Sequence, residues 1–253
     1  MATPQPRPQP YPAHAELLAR WADLLTEARG GAADPDPLPY GENLLARWGE
    51  PHRHYHTTAH LLAVLDHIDL LEAHSRDAPP TAPGTPDAQA APATPDAQAA
   101  PAPDLAAARL AAWFHDAVYL PERSTNEEAG ARLAERALTE AGVPAPRVRE
   151  VCRLILLTVD HDPRPGDIAG ELLCDADLAV LAGSPQQYAS YAAAVRQEYG
   201  FVPDEAFREG RSAVLRHLLG LPRLYRTPYG REHWERTARF NLSTELELLT
   251  AAG

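Results

Sequence analysis

Apolar residues recur at the three- and four-residue spacing of an α-helix along most of this chain, and this pattern most constrains its fold. In the first such segment, residues 13–29, Leu17, Trp21 and Leu24 fall on one face. No stretch alternates apolar and polar residues as a half-buried strand does, and no Asn-Gly hairpin turn occurs. The sequence therefore predicts an all-α bundle of about ten helices. The remaining segments lie near 42–48, 57–73, 105–119, 124–141, 147–159, 171–182, 186–199, 203–219 and 231–251.

One segment breaks this pattern and differs from the rest in composition. Residues 75–103 consist mostly of Ala, Pro, Asp, Thr and Gln, and the stretch TPDAQAAP occurs at 85–92 and again at 94–101. Such a segment cannot bury enough apolar surface to offset the entropy lost on ordering it. We therefore predict a disordered Ala/Pro-rich insertion inside a single helical domain, residues 13–253, which follows a disordered proline-rich tail at 1–12.

The net charge and the length of the apolar runs limit the kinds of partner that the protein is expected to bind. A formal net charge of −12 disfavours attraction to nucleic acid polymers and to anionic membranes. No apolar run reaches the roughly 18 residues that a membrane-spanning helix needs, and the N-terminus lacks the apolar core of a signal peptide. The chain has only 2 cysteines, so no disulfide framework is implied and the cytoplasm is the expected location. Oligomeric state is left open.

Histidines and acidic residues occur on helix faces that the periodicity predicts to be buried. His60 begins the apolar run LLAVL, and His56 lies one helical turn earlier on the same face. Buried imidazoles and carboxylates are costly unless they are paired or bind a metal ion. Imidazole nitrogen and carboxylate oxygen are common ligands of divalent cations. The sequence therefore predicts a divalent metal site, with the candidates His56, His60, His115, Asp116, His161, Asp175 and Asp177.

Each candidate, taken alone, also fits a structural role. A single histidine on an apolar face is more often hydrogen-bonded in the core than bound to a metal, and Asp175 could cap a helix or form an ion pair. What favours a metal site is the arrangement of the candidates on three separate apolar helices, in the order His60, His115-Asp116 and Asp177.

Longer stretches of sequence surround these residues. They run from about residue 15 to the C-terminus, apart from the insertion, and comprise RHYHTTAHLLAVL, AAWFHDAVY, NEEAGARLAERAL, LTVDHDP, LLCDADLAVLAG, YASYAAAVRQEYGFVPDEAF, GRSAVL and ARFNLSTEL. In this order they resemble the HD superfamily of metal-dependent phosphohydrolases, and within it a bacterial group of unassigned substrate.

The resemblance implies a fold, a cofactor and a ligand set. The fold would be an HD-domain helical bundle, and the cofactor one or two divalent ions (Mn, Fe, Co, Ni, Zn or Mg). His60 would be the first ligand, followed by the namesake pair His115 and Asp116, with Asp177 last. The remaining candidates, His56, His161 and Asp175, would surround these ligands or hold a second ion.

Two departures from the superfamily's patterns bear on the substrate. Some HD nucleotidases carry a glutamate three residues after the aspartate of the pair, where this sequence has Tyr119. The binuclear phosphodiesterases of the superfamily have two additional histidines, and this sequence has no clear match for both of them. These departures weigh against a 5′-nucleotidase-like activity and against a cyclic-dinucleotide substrate.

Phosphoester hydrolysis needs a proton donor for the leaving group, and Glu127, Glu128 and His161 are the candidates. Either glutamate could instead belong to a capping box, Glu127 with Ser124 or Glu128 with Thr125.

The phosphate itself needs cationic partners, and arginine can bind it through two parallel hydrogen bonds. Arg53, Arg196 and Arg211 are the candidate substrate-binding residues, although each also fits a surface or helix-pairing role.

Three functions are compatible with these residues. The preferred one is metal-dependent hydrolysis of a phosphomonoester or phosphodiester, in a small phosphorylated metabolite or nucleotide. The first alternative is an HD-fold di-iron oxygenase, which metal analysis and oxygen uptake would reveal. The second is a non-catalytic helical module with a structural metal. In that case, replacing Asp177 would abolish folding, whereas in an enzyme it would abolish turnover and leave the fold intact.

Overall fold

The computed structural model describes residues 13–77 and 104–251, and within these residues the secondary structure is entirely helical, as predicted. The predicted tail at 1–12 and residues 78–103 of the predicted insertion lie outside the described residues. Residues 75–77, expected in the insertion, instead continue a helix. The described helices are α1 (His14–Ala28), α2 (Leu38–Trp48), α3 (Thr58–Asp77), α4 (Leu105–Phe114), α5 (Asn126–Glu140), α6 (Ala145–Leu157), α7 (Ile168–Leu178), a 3₁₀ turn (Ala179–Ala182), α8 (Pro185–Glu198), α9 (Asp204–Gly220), α10 (Pro228–His233) and α11 (Glu235–Ala251).

Helix α4 ends earlier than the apolar pattern over 105–119 predicts. It stops at Phe114, and His115 occupies the C-cap position, where its ring Nδ1 donates a hydrogen bond to the carbonyl oxygen of Ala112 at 2.9 Å. This contact anchors the imidazole on the last turn of the helix. As a result, His115 and Asp116 lie on the turn that follows α4 and not within its apolar body.

Helix α4 is also the centre of the main core. Nearly all its side chains are buried, and α1, α3, α5, α6 and α7 pack around it, as expected for a helix that is apolar on every face. The ring of Trp113 packs edge-on against Trp21, with centroids 5.1 Å apart. The carbonyl oxygen of Trp113 accepts a hydrogen bond from Nε1 of Trp48 at 3.0 Å. This packing fixes the end of α4 from which His115 projects.

A second apolar cluster joins the C-terminal helices to the end of α7. Asn241 of α11 donates its amide protons to the carbonyls of Leu181 and Gly183, both at 2.9 Å. Trp234 interrupts the helix predicted over 231–251 and separates α10 from α11; its indole packs against both apolar clusters. The second apolar cluster comprises Leu178, Leu181, Tyr188, Leu215, Leu218, Leu224, Tyr225, Ala238 and Leu242.

None of the described helices combines the length and the apolar character that crossing a lipid bilayer requires.

The packing of α5 against the end of α4 leads to a testable prediction. A Cβ atom at Gly130 would lie 2.8 Å from the carbonyl oxygen of Phe114 and 3.4 Å from that of His115. We expect Gly130→Ala to displace this turn and to lower the free energy of unfolding by about 1–3 kcal/mol. Chemical denaturation measures the change. Gly210→Ala is the matched control, because nothing lies within 4 Å of its Cβ position, and it should leave stability unchanged or slightly raised.

Candidate metal centre

The start of α3 and the ends of α4 and α7 lie close together and bring four side chains into one group. This group, hereafter the cluster, consists of His60, His115, Asp116 and Asp177. His60 is in the first turn of α3, His115 and Asp116 follow α4, and Asp177 is the last residue but one of α7. The chain thus brings together side chains that are separated by up to 117 residues in sequence (177 − 60). The imidazoles are buried, with 7% of His60 and 2% of His115 exposed, while both carboxylates are partly buried.

The distances within the cluster are those expected of side chains that could bind the same metal ion. Asp177 Oδ1 lies 3.1 Å from Nε2 of His60 and 3.5 Å from Nε2 of His115. Asp116 Oδ2 lies 3.1 Å from Nε2 of His115 and 3.8 Å from Nε2 of His60. The potential ligand atoms of His60, His115 and Asp177 all lie within 4.8 Å of one another, so these three residues could hold a metal ion.

The hydrogen bonding of the two histidines fits a metal site. Nε2 of His60 and Nε2 of His115 are buried and make no hydrogen bond of acceptable geometry. The Nδ1–H of His115 is committed to the carbonyl of Ala112, which can only accept, so in the neutral ring Nε2 carries the lone pair. Metal-binding histidines commonly show this arrangement, in which a second hydrogen bond fixes the ring and its tautomer. The donor set therefore suits a divalent cation.

The electrostatics of the cluster keep its carboxylates ionised. Burial opposes the charged form of Asp116 and Asp177, but the neighbouring histidines outweigh it and hold the pKa of both carboxyls below the usual range. Burial likewise opposes the charged form of His115, whose pKa the two carboxylates nevertheless hold well above the usual range. Two ionised carboxylates are thus present in the cluster.

His161 and His56 lie next to the cluster, on opposite carboxylates. His161 donates from Nε2 to Oδ2 of Asp177 at 2.8 Å, and it adopts a positive φ of 50°, which is uncommon for residues other than glycine. Nε2 of His56 lies 4.0 Å from Oδ2 of Asp116. His161 is therefore placed to orient Asp177, whereas His56 lies near Asp116 without a hydrogen bond to it.

Glu198 organises the loop before α3, and sequence reasoning did not identify it. Its Oε1 accepts hydrogen bonds from the backbone N–H groups of His54, Tyr55 and His56 at 2.8, 2.8 and 2.9 Å. Its Oε2 accepts from Nδ1 of His56 at 2.6 Å and from the hydroxyl of Tyr119 at 2.9 Å. Only 5% of Glu198 is exposed. The only sequence signal was a charged residue three positions after Val195, on the inner face of α8.

The pKa of Glu198 reflects this bonding. Burial raises it, but the hydrogen bonds from His56 and from the backbone N–H groups prevail and lower the pKa to about 2. The carboxylate is therefore a permanently charged anchor, which holds His56 toward Asp116.

Asp175 is not brought to the cluster. Its carboxylate, which is 0% exposed, accepts hydrogen bonds from the backbone N–H groups of Arg226 and Thr227 and from the hydroxyl of Thr227 (2.7–3.0 Å). Because it is two positions from Asp177, it points to the opposite side of α7. Asp175 anchors the loop before α10 instead of surrounding a metal ion.

Two of the three candidate phosphate-binding arginines are engaged elsewhere. The guanidinium of Arg53 donates to Glu50 and to the carbonyl oxygens of His56 and Asp116 (2.8–3.2 Å). It therefore supports the backbone behind the cluster. Arg196 donates to Asp204 and to two backbone carbonyls at the end of α8. Neither arginine lines the cavity described next.

A cavity of about 500 Å³ opens beside the cluster, between the turn after α4 and the helices α8 and α9. His115, Asp116 and Asp177 of the cluster line it, together with His56, His161 and Glu127. Arg211 of α9 also lines it, and both oxygens of Glu245 accept hydrogen bonds from its guanidinium at 2.8 and 2.9 Å. The cluster is thus accessible to a small molecule.

The capping-box interpretation of the two glutamates was wrong. Helix α5 begins at Asn126, and the side chain of the N-cap residue Thr125 makes no capping hydrogen bond. The amide of Asn126 instead bonds to the backbone of Leu120 and Arg123, which closes the loop after the cluster. Glu127 lines the cavity and Glu128 does not.

Fold and site together define an all-helical protein with a buried His/Asp group that could hold a metal ion beside an open cavity. No family model, curated protein or solved structure matches the chain.

Proposed function

We propose that the protein is a metal-dependent phosphohydrolase of the HD-superfamily type, which hydrolyses a phosphoester bond in a small metabolite. The observation that carries this proposal is the convergence of two buried histidine nitrogens and two ionised carboxylates, from three helices, beside a cavity. A purely structural ion would not require such an opening. The resemblance of the flanking sequence stretches to that superfamily supports the same reaction.

His60, His115, Asp116 and Asp177 would hold the ion. When bound, a divalent cation supplies Lewis acidity toward the phosphoryl oxygens and lowers the pKa of a water molecule. The residues around it set its position: His161 orients Asp177 through a hydrogen bond, and Glu198 fixes the loop that carries His56.

Glu127 is the proposed proton donor. Hydrolysis joins a water oxygen to phosphorus and breaks the ester P–O bond, so the departing oxygen must gain a proton. Among the described residues, Glu127 is the one carboxylate that lines this cavity without belonging to the cluster. It lies on the first turn of α5.

Replacing Glu127 tests this role. We expect Glu127→Gln to lower kcat by about 10²- to 10⁴-fold, the usual contribution of general acid catalysis, while metal affinity stays unchanged. The loss should be smaller with an activated leaving group such as p-nitrophenolate, which departs without protonation. Glu128→Gln is the matched control, and an equal loss of kcat in both variants would contradict the assignment.

The reaction class is tested on chelator-treated protein reloaded with each divalent metal in turn. Phosphate release from a panel of phosphomonoesters and phosphodiesters is the expected result. Oxygen uptake by a form that contains two irons, without phosphate release, would instead establish an oxygenase. Absence of both activities, together with a fall in melting temperature on metal removal, would establish a structural metal.

A further inference from the structure

The lining of the cavity beside the cluster has two chemically different parts. Histidines and carboxylates form one part, whereas α8, α9 and the loop between them contribute mainly apolar side chains, hereafter the apolar wall. Phe207 of α9 lies in this wall near Tyr199, with ring centroids 6.1 Å apart. The apolar wall comprises Val195, Tyr199, Val202, Ala206, Phe207 and Val214.

The charges that line this cavity are unfavourable for a long phosphate chain. Asp116, Asp177 and Glu127 contribute carboxylates, and Arg211 is the only arginine among the described residues that line it. That guanidinium already faces the carboxylate of Glu245 through two hydrogen bonds. Arg196 lies over the ring of Phe207, 4.7 Å from its centroid, but its guanidinium is also engaged, by Asp204 and two backbone carbonyls. Each additional phosphoryl group would therefore have to compete with an existing carboxylate partner for an arginine, and burying an unpaired charge is costly.

The size of the cavity limits the organic part of a ligand. About 500 Å³ falls in the lower half of the range for small-molecule sites, which bury most of their ligand. With a phosphoryl group at the cluster, the remaining space borders mainly aliphatic and aromatic side chains. A ring or a branched hydrocarbon would fill it, whereas a polyol would leave hydroxyl groups without partners there.

From these observations, and resting on the proposed function, we infer that the substrate is a phosphoester with a single phosphoryl group and an apolar or aromatic organic part. Polyphosphates and phosphorylated polyols are disfavoured. The apolar wall selects the organic part, and Phe207 is its main specificity-determining residue.

Two substrate pairs and one variant pair test this inference on the metal-loaded protein. We expect kcat/KM for 1-naphthyl phosphate to be at least roughly tenfold above kcat/KM for glycerol phosphate. We expect the same difference between AMP and ATP, which have the same organic part but differ in the number of phosphoryl groups. Phe207→Ala should remove most of the preference for 1-naphthyl phosphate, by lowering kcat/KM for that substrate much more than kcat/KM for glycerol phosphate. Phe201→Ala is the matched control, since Phe201 is 55% exposed and does not line the cavity.

A binding measurement separates this inference from the reaction itself. Calorimetry should show that 1-naphthylmethylphosphonate, which is not hydrolysed, binds at least roughly tenfold more tightly than methylphosphonate, and that Phe207→Ala removes the difference. Equal binding of the two phosphonates, or faster turnover of glycerol phosphate or ATP, would overturn the inference and leave the hydrolase proposal standing. A tenfold binding preference without hydrolysis of any phosphoester would support the ligand class and overturn the hydrolase.

Discussion

The Asp177→Asn variant is expected to bind divalent metal at least roughly a hundredfold more weakly than the wild-type protein, and to lose the associated turnover. Of the residues that the structure describes, Asp177 is the one whose carboxylate reaches His60, His115 and His161 at once, at 3.1, 3.5 and 2.8 Å. The amide keeps the shape but removes the charge, and even residues that only support metal ligands cost 10- to 100-fold in affinity when changed. Competition with a fluorescent chelator measures the loss.

Asp175→Asn is the matched control for this experiment, because it makes the same change two residues away on the same helix. Its buried carboxylate holds the backbone of Arg226 and Thr227, so we expect a loss of about 2–3 kcal/mol in stability. Metal affinity should remain within a few-fold of wild type. If both variants lost metal equally, the loss would reflect general unfolding and the assignment of Asp177 would fail.

The second large effect is expected from Glu198→Ala. Removing this carboxylate leaves three backbone N–H groups, the Tyr119 hydroxyl and Nδ1 of His56 without their partner. Breaking such a buried charged network costs about 3–5 kcal/mol, so the melting temperature should fall by many degrees. Thermal denaturation followed by circular dichroism measures it.

The conservative variant distinguishes positioning from mere stability. The amide oxygen of Glu198→Gln can still accept the three backbone hydrogen bonds, so most stability should return. Its NH₂ group cannot accept from His56, so metal affinity should stay roughly 10-fold or more below wild type. Glu205→Ala, an exposed glutamate at the start of α9, is the control and should change neither quantity. Full recovery of metal affinity in Glu198→Gln would show that Glu198 does not position the site.

The helices were predictable because local periodicity decides which face is buried. The spacing of Leu17, Trp21 and Leu24 predicted α1, and all three residues are buried. The buried positions of His60 and His115 followed from the same pattern, since each lies within or beside an apolar run. A polar residue in such a run has few physical explanations, and this is why the metal site could be proposed from sequence.

What local periodicity could not predict is set by contacts between distant segments. Glu198 bonds to His56 across 142 residues, and no local pattern links them. Asp175 and Asp177 look equivalent in sequence, but only the packing of the loop at 226–227 shows which one faces inward. Arg53 carries the charge expected of a phosphate-binding residue, yet the backbone of Asp116 takes its hydrogen bonds.

The most direct test of the metal centre is anomalous diffraction from a crystal of chelator-treated protein reloaded with Zn²⁺. We expect one strong peak about 2.0–2.3 Å from Nε2 of His60, Nε2 of His115 and an oxygen of Asp177. A peak only at surface histidines such as His74 or His233, with those three residues unchanged and without metal, would contradict it.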